Sequence, residues 1–286
     1  MVSGNFDNLY AVVVWFHPTE KEYQTLSLYK QDVAHVVVVD NSETDNSALI
    51  PADKRITYIP LLQNAGIATA LNKGCQFALE HGAEWVLTMD QDSRWDQHTV
   101  RKYLAEVQQY EEFDKVAIFS PFHDCDGHPE THHKGGRFED RELVMCSGNL
   151  LRLKAWQQAN GFRDDFFIDI VDDEICCHLR QLGWQVIRAN QIMLTHHLGN
   201  GVKYLGPTKH PYTPHPAWRY FYIARNIRRM FPLYPEMKPY YKHQVYKYLK
   251  RIFLYDFDHK GDKLKAFYKG WTADRSLCGK ERLKER

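Results

Sequence analysis

Two hydrophobic patterns alternate through the first third of the chain. Tyr10–Phe16 (YAVVVWF) is an unbroken β-branched and aromatic run stopped by His17-Pro18, and His35–Asp40 (HVVVVD) is a second, followed by the polar turn NSETDNS. Arg55–Pro60 reads as a short third strand, Glu84–Asp90 (EWVLTMD) as a fourth ending in acid, and Val116–Ser120 as a fifth. Helical spacing occupies Glu20–Lys30, Asn64–His81 and Gln97–Tyr110 between them. Near-continuous apolar strands alternating with helices predict an α/β protein with a mostly parallel, doubly wound sheet covered on both faces. Ligands of such sheets bind at the carboxyl ends of the strands. Phe16-His17, Asp40 and the Asp90–Asp92 segment fall there.

The pattern loosens after residue 120. A loop rich in His, Gly and Asp (123–141) precedes a strand at Leu143–Cys146, a helix at Asp172–Leu182 and a strand at Trp184–Ala189. Beyond Pro216 the chain is helical and basic. Tyr241, Val245, Tyr248, Leu249, Ile252 and Tyr255 share one helix face, with Lys247, Lys250 and Arg251 opposite. The spacing divides the chain into 1–215, with halves meeting near residue 120, and a helical extension, 216–286.

At 44% hydrophobic residues the chain has enough material for a core. Its net charge of +1 conceals an asymmetry: residues 238–286 hold 14 Lys/Arg against 6 Asp/Glu, and the remainder 23 against 30. A basic aromatic tail suits a negatively charged surface, membrane or nucleic acid. The face of 239–256 then either lies in lipid headgroups or packs on the body of the protein. Six cysteines show no CxxC spacing and read as reduced thiols. No signal stretch opens the chain, and no window approaches the roughly 18 apolar residues of a membrane span. A cytoplasmic protein, peripheral at most, is expected.

The sharpest candidate chemistry is Met89-Asp90-Gln91-Asp92-Ser93. Two carboxylates at a strand end suit Mg²⁺ or Mn²⁺ shared with substrate phosphates, or simply a solvated turn. Asp40 can accept hydrogen bonds from a nucleobase or ribose, or build its own turn with Asn41 and Ser42. The helix start at Asn64, Gly66 and Asn72 suits either a phosphate or close packing on the sheet. Six acids in Asp164–Glu174 alternate with Phe and Ile, so several lie near buried surface, as a general base requires. His196-His197 can complete a metal site or serve structure. The loop HDCDGHPETHH (123–133) has potential ligands without regular zinc spacing.

Taken in order, VVVWFHP, VVVVDNS, QNAGIATALNKG, LTMDQDS, CSGNLL, GFRDDFFIDIVDDE, HHLG and RYFYIARN resemble the inverting family 2 glycosyltransferases of GT-A fold, especially their bacterial rhamnosyltransferase-like branch. The resemblance spans residues 10–230 or so. It implies a sugar-nucleotide enzyme of polysaccharide biosynthesis, with a nucleotide-sugar half in 1–120 and an acceptor half in 121–215. Asp40 would contact the pyrimidine, with Phe16 and Asn64 near the nucleotide. Asp90, Asp92 and His196 would sit at the metal and diphosphate, Asp172 would be the catalytic base, and Glu174 its neighbour. The donor would be dTDP-L-rhamnose, or a UDP-sugar (galactofuranose or galactose), and the acceptor a glycan or lipid-linked molecule at the inner face of the plasma membrane. His178 stands where the family usually has Arg.

Two other classes compete. A nucleotidyltransferase needs a Gly-rich basic phosphate loop near the first strand, and VVVWFHPTEKE is not one. A nucleic-acid-binding module would use the basic tail, but an acidic body carrying DxD disfavours phosphate-backbone binding, so no nucleic-acid partner is expected.

Overall fold

The computed structural model describes residues 6–125, 127–129, 135–196, 203–205, 210–212, 214–254 and 258–273. The chain divides into two compact units, Met1–Asp165 with Val171–Gly199, and Phe166–Ile170 with Asn200–Arg286.

The first unit begins β1 (Tyr10–Trp15), α1 (Glu20–Ser27), β2 (His35–Asp40), β3 (Ile56–Pro60), α2 (Ile67–Glu80), β4 (Trp85–Asp90), β5 (Ser93–Arg94) and α3 (Thr99–Val107). It continues with β6 (Val116–Cys125), β7 (His128–Pro129), β8 (Phe138–Asp140), β9 (Asn149–Arg152), α4 (Leu153–Gln158), α5 (Val171–Gln181) and β10 (Gln185–His196). Thr19 starts α1 with a capping box closed by Glu22. The sheet order is β3-β2-β1-β4-β9-β6-β10-β5, with β7 on β6 and β8 on β10. The six long strands run in one direction, and β9 enters antiparallel between β4 and β6.

Val36–Val39 are completely buried, which requires cover on both faces of the sheet. On one face, Val13, Trp15, Val38 and Met89 pack with Leu26 and Tyr29 of the α1 region and Val100 and Tyr103 of α3. On the other lies α2. Its Gly74 approaches so closely that an added Cβ would stand 2.2 Å from Val12 Cγ1. Close helix–sheet packing therefore accounts for this glycine.

One expected strand is displaced. Leu143–Cys146 is not strand; the pairing residues are Asn149–Arg152. Val144 is buried, but the chain here is tied to a side chain and a turn. Thr88 Oγ1 donates to Cys146 O at 2.6 Å, and Gly148, in a left-handed turn, donates to Thr88 O at 2.7 Å.

The second unit contains the hairpin β11 (Lys203–Leu205) and β12 (His210–Tyr212) and the helices α6 (Ala217–Leu233), α7 (Lys238–Leu254) and α8 (Lys260–Ala273). Of the two placements left open for the apolar face of α7, lipid headgroups or packing on protein, the helix shows packing. Tyr241 and Ile252 are buried, and Tyr248 meets the Tyr220 ring of α6 edge-on at 6.3 Å. Packing within the helical unit uses that face; Tyr255 lies outside the described residues. No described helix is long and apolar enough to cross a membrane.

Gly74→Ala should lower stability by about 1–3 kcal/mol through overpacking against Val12, read as a lower midpoint in chemical denaturation. An unchanged midpoint would mean that α2 shifts freely on the sheet.

Candidate active site

β1, β2 and β4 end together: the register pairs Trp15 with Asp40 and Val14 with Asp90. The first polar residues after three apolar runs therefore share one edge of the sheet. Phe16 reaches that edge partly exposed, its ring 4.1 Å from His17. Asp40 stays beneath it, fully buried. One carboxylate oxygen accepts from Ser42 N at 3.0 Å and Ser42 Oγ at 2.5 Å. The other accepts from Asn46 Nδ2 at 2.8 Å and Tyr58 OH at 2.7 Å. Four donors fill a carboxylate, so Asp40 builds the turn. Burial, with the Asp40 carboxylate beside it, pushes the Tyr58 phenol upward.

Asn64 joins the neighbouring turn, its Oδ1 accepting from Asn41 Nδ2 at 3.1 Å and Gly66 N at 3.2 Å. Gly66 caps α2 at φ 90° and ψ 158°, a conformation open in practice to glycine. Asn72, one turn into α2, spends its whole carboxamide on the protein. Its Nδ2 donates to Phe162 O at 2.7 Å and Asp164 Oδ1 at 2.9 Å, and its Oδ1 accepts from Phe162 N at 2.8 Å and Trp156 Nε1 at 3.1 Å. Thr69 Oγ1 adds a bond to the same Asp164 oxygen at 3.0 Å. Asn72 thus clasps the loop that leads toward the acidic helix.

Asp90, Asp92 and His196 converge, with ligand atoms that all lie within 4.8 Å of one another. β4 supplies Asp90 and the turn into β5 supplies Asp92. Antiparallel pairing of His196 with Ser93 brings in the end of β10. A hydroxyl relay supports the cluster: Asp90 N donates to Ser147 Oγ at 3.1 Å, and Ser147 Oγ donates to Ser93 Oγ at 2.7 Å. Ser93 Oγ in turn lies 2.7 Å from His196 Nδ1. The same Nδ1 lies 3.6 Å from Asp92 Oδ1, so the imidazole and the second carboxylate of the cluster are close neighbours. Two carboxylates and an imidazole fit a hard divalent cation such as Mg²⁺ or Mn²⁺.

Asp172, Asp173 and Glu174 form the first turn of α5, where the helix dipole favours anions. Glu174 is buried, while Asp172 is half-buried beside a small cavity lined by Thr88, Cys146, Asn149, Phe162 and Cys176. Burial pushes the Cys146 thiol well up, and the Asp90 and Asp172 charges add to the shift. Because Thr88 of β4 and Asp172 line the same cavity, Asp172 stands beside the strand that ends in Asp90. His123, from the His-rich loop, is buried with Nε2 2.8 Å from Ser147 O; His132, His133 and His197 lie outside the described residues.

Asp169 follows a different course. Within the second unit it pairs with Arg219, whose Nε lies 3.0 and 2.9 Å from its two oxygens. Burial raises its pKa while Arg219 pulls it back. Phe167, Asp169 and Ile170 all have φ near 60°. Asn226 Nδ2 holds this unusual stretch, contacting the Phe166, Ile168 and Asp169 carbonyls at 2.8, 2.9 and 2.8 Å. The motifs FFIDI and RYFYIARN are therefore physical partners. A motif reading lists both without revealing the roles of Arg219 and Asn226.

A mostly parallel sheet with an acidic pair and an imidazole at its strand ends is the GT-A arrangement expected of a glycosyltransferase. Residues 24–167, half of the chain, match the model of glycosyl transferase family 2, and the chain belongs to that family. A curated relative, the dTDP-rhamnosyl transferase RfbF of Shigella flexneri, is 28% identical over 238 residues, 77% of this chain and 78% of the relative. Among solved structures, GalNAc-T7 with UDP, GalNAc and Mn²⁺ superposes at TM-score 0.59 with 10% identity, which carries the fold alone. That match covers 96% of this chain but 57% of the other, so the chain spans little more than half its length.

Asn72→Ala should cost about 2–3 kcal/mol of stability, because it leaves buried partners unsatisfied, and should leave nucleotide affinity near the wild-type value at temperatures where the variant is folded. A variant of unchanged stability that no longer binds nucleotide would make Asn72 a ligand contact instead.

Proposed function

We propose that the enzyme transfers L-rhamnose from dTDP-L-rhamnose to a glycan or lipid-linked acceptor with inversion, using Asp172 as general base. The observation that carries this reading is the convergence of Asp90, Asp92 and His196 at the strand edge, with Asp172 lining a cavity beside Thr88 of the same strand as Asp90. The name of the S. flexneri relative supports the dTDP-rhamnose donor. Phe16 would lie against the base, with Asn64 and Gly66 near the phosphates at the start of α2. Asp40 and Asn72 would act from beneath by holding the turn and the loop. Residues 1–215 would form the catalytic part, and 216–286 its helical extension.

In the reaction, the acceptor oxygen attacks the anomeric carbon from the face opposite the nucleotide. The bond from that carbon to the phosphate oxygen breaks, and its electron pair leaves with dTDP. The hydroxyl proton passes to Asp172. One displacement needs one base, and the result is inversion. Asp90, Asp92 and His196 would hold Mg²⁺ or Mn²⁺, whose charge would stabilise the departing diphosphate. Glu174, buried in the same helical turn, would support Asp172. Asp169, committed to Arg219, would not replace it.

A lipid-linked acceptor would put the enzyme at the cytoplasmic face of the membrane. The outer face of α7 suits such a surface: Tyr246, Phe253 and Leu254 are 60, 49 and 51% exposed, among exposed Lys242, Lys247 and Lys250, and the helix has no acidic residue. Each Lys near an anionic surface contributes about 1 kcal/mol.

Asp172→Asn should abolish release of dTDP driven by acceptor while dTDP-L-rhamnose binding, by calorimetry, stays within about threefold, since an amide keeps the shape but takes no proton. Excess EDTA should stop wild-type turnover. Turnover with a UDP-sugar and none with dTDP-L-rhamnose would reject the donor; full turnover in EDTA would reject the metal.

The protein should co-sediment with anionic phospholipid vesicles at low salt, come off as salt screens the charges, and bind less after Tyr246→Ser with Phe253→Ser. Protein that stays in the supernatant with such vesicles at low salt would overturn the membrane contact.

A further inference from the structure

The residue between the two acidic ligands has an unusual pair of contacts. Gln91 is half-buried, and its side chain binds the backbone of Phe16 twice. Phe16 N donates to Gln91 Oε1 at 2.6 Å, and Gln91 Nε2 donates to Phe16 O at 3.1 Å. The β1–β4 ladder stops at Val14 and Asp90. Beyond it, the Gln91 carboxamide takes the part of a strand backbone, offering one acceptor and one donor. The main chain of 91–92 is then free to leave the sheet with Asp92 while Phe16 stays fixed.

The connection continues on the other side of Phe16. His17, left-handed at φ 49°, donates its N–H to Ser42 Oγ at 2.7 Å, and Ser42 Oγ donates to the buried Asp40 at 2.5 Å. An unbroken path of short bonds and two peptide units thus runs from the Asp90–Asp92 turn, through Gln91, Phe16, His17 and Ser42, to the turn built on Asp40. The bland account, a polar side chain satisfying a loose strand end, predicts a local effect at most. The geometry here joins the two ends of a nucleotide site.

We infer that Gln91 is a positioning residue that couples the cation-binding turn to the platform for the nucleobase, so that order at one end favours binding at the other. The inference rests on the proposed placing of the nucleotide at Phe16 and of the metal at Asp90 and Asp92. Neither side-chain atom of Gln91 need touch donor or metal, because both are occupied by Phe16. Coupling of this kind is reciprocal for binding free energies.

The test reads each end separately in the full-length protein. Calorimetry with dTMP in EDTA reports the nucleoside end with no metal present, and Mn²⁺ paramagnetic resonance without nucleotide reports the other. Gln91→Ala should weaken dTMP binding about tenfold, the effect of losing two neutral hydrogen bonds. It should also reduce the mutual enhancement between Mn²⁺ and dTDP, and raise KM for the donor more than it lowers kcat. In a Phe16→Ala background the same substitution should cost dTMP nothing more. Gln91→Met, of similar length without the hydrogen bonds, should repeat the Ala result if folding is intact, which a melting curve confirms. Folded Gln91→Ala and Gln91→Met proteins that bind dTMP in EDTA as the wild type does would overturn the coupling. Wild-type protein that binds neither dTMP nor dTDP would instead reject the proposed site.

Discussion

The parallel pairing of β1 with β2 and β4 is the contact on which the site depends. Ala11–Val13 and Val36–Val39 are buried between two helical layers, and an unsatisfied polar group placed there would cost several kcal/mol, on the order of 2–7 depending on the reference. Polar chemistry is confined to the strand ends for that reason. Because β1 and β2 end level at Trp15 and Asp40, with β4 ending at Asp90 opposite Val14, the residues at their ends share one edge, on strands about 4.8 Å apart. Asp40, Phe16 and Asp90 occupy it in the order β2, β1, β4.

The other parts of the site are delivered by long-range pairing. β10 continues past a bulge after Ala189 to bring His196 beside Ser93. Asn72 and Thr69 reach from α2 to Asp164 and fix the loop before the acidic helix. In the second unit, three left-handed non-glycine residues, each costing on the order of 1–3 kcal/mol, persist because Asn226 binds the carbonyls of Phe166, Ile168 and Asp169 in the same stretch and Arg219 pairs with Asp169.

Much of this was legible in residues. β1, β2 and β4 are apolar throughout and bounded by turn signals, so hydrophobic pattern alone locates them to within a residue or so. The failures share a cause: pattern records burial but not pairing. Leu143–Cys146 looks like a strand because it is apolar around the buried Val144, yet Asn149–Arg152 pairs. β10 extends seven residues beyond Ala189 because the polar Asn190-Gln191 step is accommodated by a bulge, and local polarity reads there as an end. The apolar stripe of α7 was visible, whereas what covers it depends on the neighbouring helices. Asp40 was identifiable as a strand-end acid, but its complete satisfaction by Ser42, Asn46 and Tyr58 requires coordinates. Gln91 was visible only as the middle of a motif, since no spacing rule brings it to Phe16.

The central claim is that Asp90, Asp92 and His196 form the cation site that receives the sugar-nucleotide diphosphate. Anomalous diffraction from crystals grown with Mn²⁺ and dTDP tests it most directly. The account predicts one strong peak within coordination distance of all three side chains, with diphosphate oxygens on its open side and the thymine ring against Phe16. A Mn²⁺ peak elsewhere, with dTDP bound and these three side chains taking no part, would contradict it.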